Sequence, residues 1–385
     1  MTLPEFRKCL ILITIGLVVC ETACTETKQG RTPPEIRPAP PEPEASRNLN
    51  PFDQDSSQYT TFEGKAATDL RQHTTPSEGS DFDPDIDPSG KKLVYASTRH
   101  SPNSHLYIKS ITGATITQIT DGPVNDTQPE FGPDGKRIAF ASDRAGNWDI
   151  WLVDANGRNP TQITYSPMPE LHPSWSPDGK RLTYCRINTR EDRGELWIAE
   201  LEKPGLKRLI GEGLFPAWSP SGDKIAYQRA RIWSSRWFSI WTLDIKGDEV
   251  LFPTEVASSP NTALISPAWS HDGTQLAFSF VESRERNNAG PTTEGTVAAT
   301  QTTVHSDIGI VEADGHGLQR ITNHMGESYA PVWSKDGRIY FSLRTTDSET
   351  IWSTKPLQPI KIDPPSTKTT TNRRAASVIE VSDEE

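Results

Sequence analysis

Six polar residues that could bind a cation stand one or three positions before a recurring proline. They are Asp81, Asp83, Asp126, Gln128, Glu170 and His172. Carboxylates are ligands of divalent cations, and they also pair with the Lys and Arg side chains of a partner protein. If the fold brings these residues together, they form a site for a cation or a partner. The alternative is that the acids cap turns and face solvent.

The corresponding positions later in the chain are neutral or apolar. They are Gly213, Phe215, Leu264, Ser266, Ser328 and Ala330. The sequence therefore predicts an opening that is acidic in one half and neutral in the other. We expect no cofactor. The alternative is a divalent cation such as calcium, and the sequence leaves the identity of any metal unknown.

A second candidate site combines arginine with aromatic residues within 229–238. Its members are Arg229, Arg231, Trp233 and Arg236. Arg and Trp are enriched at protein interfaces, so this stretch is a candidate patch for a protein partner. The alternative is that Trp237 and Phe238 begin a strand and are buried, while the arginines line a solvated loop.

Enzyme motifs are missing from the sequence. It contains no Gly-x-Ser-x-Gly, His-Glu-x-x-His or Gly-x-x-x-x-Gly-Lys motif, and its 8 histidines are scattered. We therefore do not expect an enzyme. With 40 Lys and Arg against 51 Asp and Glu, the net charge of −11 disfavours binding to a nucleic acid backbone.

One seven-residue phrase recurs and predicts the fold. Typical copies read Pro-x-Trp-Ser-Pro-Asp-Gly, and they occupy residues 84–90, 129–135, 173–179, 216–222, 267–273 and 331–337. The spacing near 44 residues is typical of one four-stranded propeller blade. In each unit a strand carrying an aromatic residue enters a tight turn, since Pro, Asp and Gly favour turns. We expect these aromatic residues to be structural and buried between neighbouring sheets. Two further strands and an outer strand follow.

The sequence therefore predicts an all-β, six-bladed β-propeller of four-stranded antiparallel blades. We expect the propeller to span residues 59–362, with repeats near 81–122, 123–166, 167–212, 213–260, 261–324 and 325–362. Two ways of completing the last blade stay open. Its outer strand comes either from residues 360–362 or from residues 59–62.

The repeated phrase, followed by apolar-Ala-Phe-x-Ser-x-Arg and Asp-Ile-Trp, resembles the WD40-like repeat of TolB-type six-bladed propellers. Residues 139–151 are the best copy, and the resemblance covers about residues 81–360. It implies a periplasmic protein whose channel mouth receives a protein ligand. TolB carries an α/β domain before its propeller. Because residues 21–80 are mostly polar, we expect this chain to lack that domain.

The N-terminus resembles a bacterial lipoprotein signal. Arg7 and Lys8 precede an apolar run over residues 10–19, which is too short to span a membrane. Either Cys20 or Cys24 is the expected lipidation site, and an ordinary cleaved signal is the alternative. We expect a signal peptide over residues 1–24, a Pro-rich disordered linker over 25–58 and a disordered tail over 363–385.

These features favour an exported, lipid-anchored scaffold that binds a protein or peptide in the bacterial envelope, as a monomer. The alternative is a polysaccharide lyase-like propeller with a metal at the channel mouth, for which His172, Glu170, Asp126 and Asp83 are the candidate ligands. A third possibility is a sensor propeller that works with a separate catalytic chain. A Thr- and Gly-rich insertion at residues 282–305 is expected to be a loop.

Overall fold

A computed structural model describes residues 67–357 except 231–237, 248, 252, 261, 287–300, 324–325 and 347. For residues 67–68, 283–286 and 301–303 only the backbone is described. The regular elements of the described residues are β-strands. In this part of the chain no helix is long and apolar enough to cross a membrane. The predicted signal peptide, Pro-rich linker and C-terminal tail lie outside the described residues.

The first thirteen strands are β1 (Ala67–Gln72), β2 (Asp81–Ile86), β3 (Lys92–Ser97), β4 (His105–Ser110), β5 (Ile116–Gln118), β6 (Asp126–Phe131), β7 (Arg137–Ser142), β8 (Asp149–Asp154), β9 (Thr161–Gln162), β10 (Glu170–Trp175), β11 (Arg181–Asn188), β12 (Arg193–Glu200) and β13 (Lys207–Glu212). The remaining strands are β14 (Leu214–Trp218), β15 (Lys224–Ala230), β16 (Phe238–Lys246), β17 (Glu249–Val250), β18 (Thr254–Ala257), β19 (Ala263–Trp269), β20 (Gln275–Arg286), β21 (Gln301–Glu312), β22 (Gln319–Arg320), β23 (Glu327–Trp333), β24 (Ile339–Arg344) and β25 (Glu349–Pro356).

These strands form antiparallel sheets that follow the sequence repeat. Strands β2–β5, β6–β9, β10–β13 and β14–β18 make four separate sheets, called groups 1 to 4 below. An eight-stranded sheet holds the rest, and a single parallel pair, Ser306 with Glu327, joins its two halves. Group 5 is β19–β22, and group 6 is β23–β25 with β1. The predicted all-β propeller of four-stranded antiparallel blades is confirmed.

The repeated phrase forms the turn between the first two strands of each group. In group 3 the amide of Gly179 donates to the carbonyl oxygen of Ser176 at 2.9 Å, with φ of Gly179 at 68°. The Asp178 carboxylate accepts hydrogen bonds from the Ser176 hydroxyl at 2.6 Å and the Lys180 amide at 2.9 Å. Asp and Gly therefore favour this turn locally, because the Asp178 carboxylate closes it and Gly179 tolerates a positive φ.

The tryptophan of the phrase packs between neighbouring groups. Trp175 and Trp269 are buried, and their indole N–H groups donate to backbone carbonyls of Glu130 and Ala217, one group earlier, at 3.2 and 3.1 Å. Each of these hydrogen bonds satisfies an indole N–H, which is the one polar group of a large apolar ring. The predicted structural role of these aromatic residues between sheets agrees with this geometry.

The N-terminal strand completes the last group. Strand β1 pairs antiparallel with β25, so the outer strand of group 6 comes from residues 67–72. The sequence offered residues 59–62 or 360–362 as this outer strand, and both segments lie outside the described residues. Group 6 also contacts group 1, since the Asp83 amide donates to the Ser342 hydroxyl at 3.0 Å. Six blades in a closed ring stays a prediction consistent with these contacts.

The prediction of a loop over residues 282–305 was wrong at both ends of this segment. Glu282–Arg286 and Gln301–His305 continue the ladder of β20 and β21, while residues 287–300 lie outside the description. The reason is that β-branched residues at 302–304 favour extended pairing once the hairpin register is set.

Candidate functional site

Each innermost strand contains one residue with a positive φ just before the recurring proline. We call these six residues the waist: Asp83, Gln128, His172, Phe215, Ser266 and Ala330. Their φ angles lie between 49° and 55°, and the strand register shifts at this point in every group. A bulge re-aims a side chain, and here it turns all six residues towards one shared space.

That shared space is a cavity lined by residues of all six groups. It has a volume of about 850 Å³ and opens where the innermost strands begin. All six waist residues line it, and they also line a second cavity of about 360 Å³ on the other side. The waist is thus a constriction between two cavities along one axis. A concave space of this size falls in the range of ligand-binding pockets, roughly 300–1,000 Å³.

Hydrogen bonds join waist residues to residues of the neighbouring group. The Thr127 hydroxyl donates to the Asp83 carboxylate at 2.7 Å. The amide side chain of Gln128 accepts from the His172 backbone N–H at 2.9 Å and donates to the His172 Nε2 at 2.8 Å. The Ser266 amide donates to the Gln228 side-chain oxygen at 2.9 Å. These bonds fix the waist side chains against one another.

The histidine of the waist is held as a neutral ring. Its Nε2 accepts from Gln128, so the proton resides on Nδ1, which lies 3.3 Å from the Cys185 Sγ. Its ring packs on Phe215 with centroids 3.6 Å apart. Burial lowers the pKa of His172 to about 3, and burial raises the pKa of the Cys185 thiol to about 12. Neither group carries charge near neutral pH.

Three of the predicted site acids have a different environment. Asp81, Asp126 and Glu170 are fully buried inside their own groups and pair with an arginine of the second hairpin. The pairs are Asp81 with Arg99, Asp126 with Arg144 and Glu170 with Arg186, each at 2.7 Å. These three acids are therefore not brought to the cavity with Asp83, Gln128 and His172. The sequence expected one cluster, and the structure divides it into two sets.

The buried acids also contact the neighbouring group. Burial alone would raise the pKa of Asp126, but hydrogen bonds from His105 and Ser142 and the charge of Arg144 hold this pKa below its usual value. Asp149 instead faces Glu170. Burial, together with the negative charge of Glu170, raises the pKa of Asp149 to about 6. Asp149 has the place in group 2 that His105 has in group 1, so one buried acid meets an imidazole of the preceding group and the other meets a carboxyl.

Below the waist, two further carboxyl groups join adjacent groups. Asp85 accepts the Phe131 amide at 2.7 Å, and Glu130 accepts the Trp175 amide at 2.9 Å. Burial raises the pKa of both carboxyls, and the charge of Asp85 raises that of Glu130 further. Ser174 has the same role in group 3, because its hydroxyl accepts the Trp218 amide at 3.2 Å. This set is structural, since each member ties one innermost strand to the next.

One wall of the large cavity is apolar. Groups 4 and 5 contribute Phe215, Ile265, Val281 and Val304 to its lining. Ile265 and Val281 belong to a small hydrophobic cluster with Phe238 and Ala263, against which Val304 packs. The sequence predicted a neutral half from groups 4 to 6, and this is correct only for groups 4 and 5, where residues of the long β20–β21 hairpin extend it.

The opposite wall contains a charged cluster that the sequence reasoning missed. Arg344 pairs with Glu327 and Glu349, at 3.2 Å each, and lies over the Tyr329 ring with its guanidinium carbon 5.2 Å from the centroid. All four side chains line the large cavity. The sequence contained a signal for this cluster, namely an acid and an arginine at a similar spacing in two repeats. Glu327 and Arg344 are 17 residues apart, and the buried pair Asp126 and Arg144 is 18 residues apart.

The arginine-rich candidate patch is described at one residue only. Arg229 lies at the end of β15 with its guanidinium carbon 5.2 Å from the centroid of the Trp241 ring. Arg231, Trp233 and Arg236 lie outside the described residues, as do Cys20 and Cys24. Phe238 begins β16 and is buried, as the alternative expected. The patch stays a prediction.

The fold is that of a β-propeller, with a cavity where its innermost strands meet. Residues 52–193 match the family model described as TolB beta propeller domain, PD40. No curated protein matches the sequence. The matched stretch covers less than half of the chain, and it agrees with the solved structures below on the propeller fold.

Solved propellers share this fold at low sequence identity. A structure assigned as TolB from Agrobacterium tumefaciens is 19% identical, with a TM-score of 0.52, covering 75% of this chain and 97% of that chain. TolB from Acinetobacter baumannii is 16% identical, with a TM-score of 0.52, covering 70% of this chain and 65% of that chain. A gluconolactonase from Xanthomonas campestris is 12% identical, with a TM-score of 0.52, covering 75% and 89%. At these identities the likeness is one of fold.

Proposed function

We propose that this protein is an exported, lipid-anchored propeller that binds a protein or peptide of the bacterial cell envelope in its axial cavity. The observation that carries the proposal is the cavity of about 850 Å³, whose waist is fixed by hydrogen bonds between groups. A preformed pocket on a rigid scaffold suits a binding module, because little ordering is needed when the partner enters.

The envelope location rests on the sequence. The short apolar run before Cys20 and Cys24 supports export, and the lipoprotein-like pattern supports an anchor at one of these cysteines. The family model adds support, since it describes a propeller domain of TolB. In this proposal residues 25–58 hold the propeller away from the membrane.

The lyase-like alternative has little support from the residues that it needs. The Nε2 of His172 accepts a hydrogen bond from Gln128, while Asp126 and Glu170 are paired with arginines. Among the described residues, no group of three His, Cys, Asp or Glu side chains has a metal-binding arrangement. A binding module therefore stays the proposed function.

A photo-crosslinking experiment tests the binding function. The amino acid p-benzoylphenylalanine replaces Phe215, which lines the cavity, and in a second protein replaces Tyr165, whose side chain is 69% exposed outside the cavity. In native envelopes we expect one protein to crosslink at position 215 and not at 165. Crosslinking that is equal at both positions, or missing at position 215, would contradict a partner in the cavity.

The anchor has a separate test. Radioactive palmitate should label the wild-type chain, and a Cys20→Ala or a Cys24→Ala variant should lose the label. An unlabelled wild-type chain would leave the ordinary cleaved signal as the explanation. The crosslinking result does not depend on which outcome is found.

A further inference from the structure

We infer that the occupant of the large cavity is a cationic, amphipathic segment of a partner protein. Its apolar side chains face groups 4 and 5, and its Lys or Arg side chains face groups 6, 1 and 2. The inference rests on the proposed function, because it names the chemistry of the partner at that same cavity.

Charge is distributed unevenly around the cavity. Four carboxylates line it, namely Asp83, Asp143, Glu327 and Glu349. Arg344 is the one Lys or Arg side chain among the described lining residues, and His172 is neutral because burial lowers its pKa. The described lining thus carries three net negative charges. All four carboxylates come from groups 6, 1 and 2, which are neighbours in the fold.

Local contacts hold these acids in the wall. Asp143 accepts two hydrogen bonds from Asn125, through its backbone N–H and its side-chain amide, each at 2.7 Å. Asp83 accepts one from Thr127. A hydrogen bond from an amide or a hydroxyl orients a carboxylate without removing its charge. Only Arg344 supplies a compensating full charge in the described lining, and it is shared between Glu327 and Glu349.

The shape of the cavity strengthens the effect of these charges. Acidic groups in a cleft with low-dielectric walls concentrate the electrostatic field, which attracts cations and repels anions. An acidic segment would therefore be rejected even if its apolar residues fitted. Charge in this wall gives selectivity, and it raises affinity through a faster encounter with a cationic segment.

The facing wall supplies the apolar contact. Phe215 is fixed by its contact with His172, and Ile265 and Val281 are fixed by their small hydrophobic cluster. Because β20 and β21 are each twelve residues long, this wall belongs to a hairpin longer than those of groups 1, 2 and 6. A segment that lies across the axis meets an apolar wall on one side and an acidic wall on the other.

A peptide selection tests this inference. Random twelve-residue peptides displayed on phage are selected on the full chain at physiological salt, and binders that persist with a Phe215→Ala variant are discarded. We expect the remaining sequences to be enriched in Lys, Arg and large apolar residues and depleted in Asp and Glu. If Phe215→Ala fails to fold, judged by circular dichroism, Val304→Ser takes its place.

Affinity measurements on one selected peptide complete the test. The double variant Asp83→Asn with Glu327→Gln should bind at least about tenfold more weakly, and the affinity of the wild-type chain should fall as salt rises. Asn tolerates the positive φ at position 83. The matched control is Glu202→Gln with Asp314→Asn, which removes two exposed acids outside the cavity and should leave the affinity unchanged.

The outcomes separate the two proposals. Cavity-dependent peptides without cationic enrichment, or with affinity unchanged in the double variant, would overturn the charge inference and leave the binding function intact. A selection that yields no peptide dependent on the cavity would overturn both.

Discussion

The imidazole of His172 accepts a hydrogen bond from the Gln128 side chain at 2.8 Å, and the His172 backbone N–H donates to the same side chain at 2.9 Å. The two residues belong to neighbouring groups and occupy equivalent positions in their strands. This reciprocal pair fixes the amide orientation and the ring tautomer together, so that the polar half of the waist presents a single arrangement to the cavity.

Removal of this pair should destabilise the protein. In a Gln128→Leu variant the His172 backbone N–H and Nε2 lose their partners, and a buried polar group without a partner costs about 1–3 kcal/mol. We expect the melting temperature to fall by at least about 3 °C. The control is Gln118→Leu, which removes one hydrogen bond from an exposed outer strand and should have a smaller effect. Equal effects would indicate that the waist pair contributes no special rigidity.

The two sets of acids should respond differently to neutralisation. Glu170→Gln leaves the Arg186 charge in a mostly buried site, and we expect a loss of about 2–4 kcal/mol in the free energy of unfolding, measured with urea. Asp83→Asn keeps the shape of its side chain and should lose less than about 1 kcal/mol. If Asp83→Asn were the more damaging change, the assignment of Glu170 as structural would be wrong.

Asp149 should make stability fall as pH rises. Its folded pKa of about 6 lies above the unfolded value of about 3.9, so the folded state binds more protons between these two pH values. The stability lost over this window stays lost at higher pH. An Asp149→Asn variant cannot titrate, and we expect it to melt at least about 2 °C higher at pH 7 with a flatter profile between pH 4 and 6.

Asp178 supplies the opposite control. Burial alone would raise its pKa, but hydrogen bonds from Ser176 and Lys180 lower it. Its ionised form therefore stabilises the fold above the unfolded pKa, and this contribution is lost as pH falls. Asp178→Asn should lower the melting temperature at pH 7. A rise in both variants would refute the assigned pKa directions.

The N-terminal strand should be required for a stable last group. Arg338 is only 5% exposed, and its guanidinium donates to the Asp69 carboxylate at 2.6 Å and to the Asp69 carbonyl oxygen at 2.5 Å. A chain that begins at residue 67 keeps β1 and is the reference. Deletion of residues 1–76 removes β1 and leaves the Arg338 charge buried without this partner, so we expect a loss of at least about 5 °C. Equal melting of the two shortened chains would show that β1 is dispensable.

Local chemistry alone determined the repeating part of the fold. The phrase around Ser176 and Gly179 specifies a turn through its own side chains, and the apolar strands that flank it specify burial on both faces. These interactions lie within a few residues along the chain, so the sequence could predict four-stranded antiparallel blades and the packing of Trp175 between them.

Tertiary structure alone decided which acids reach the cavity. Asp81 and Asp83 are two residues apart, yet the first is buried with Arg99 and the second lines the cavity. The difference arises from a bulge with a positive φ at Asp83, and no residue type marks this position, since the six waist residues share neither charge nor size. Arg99 lies beyond β3 of the same group, while Thr127 and Ser342 belong to strands of groups 2 and 6, so only the packed sheets define the direction of each carboxylate.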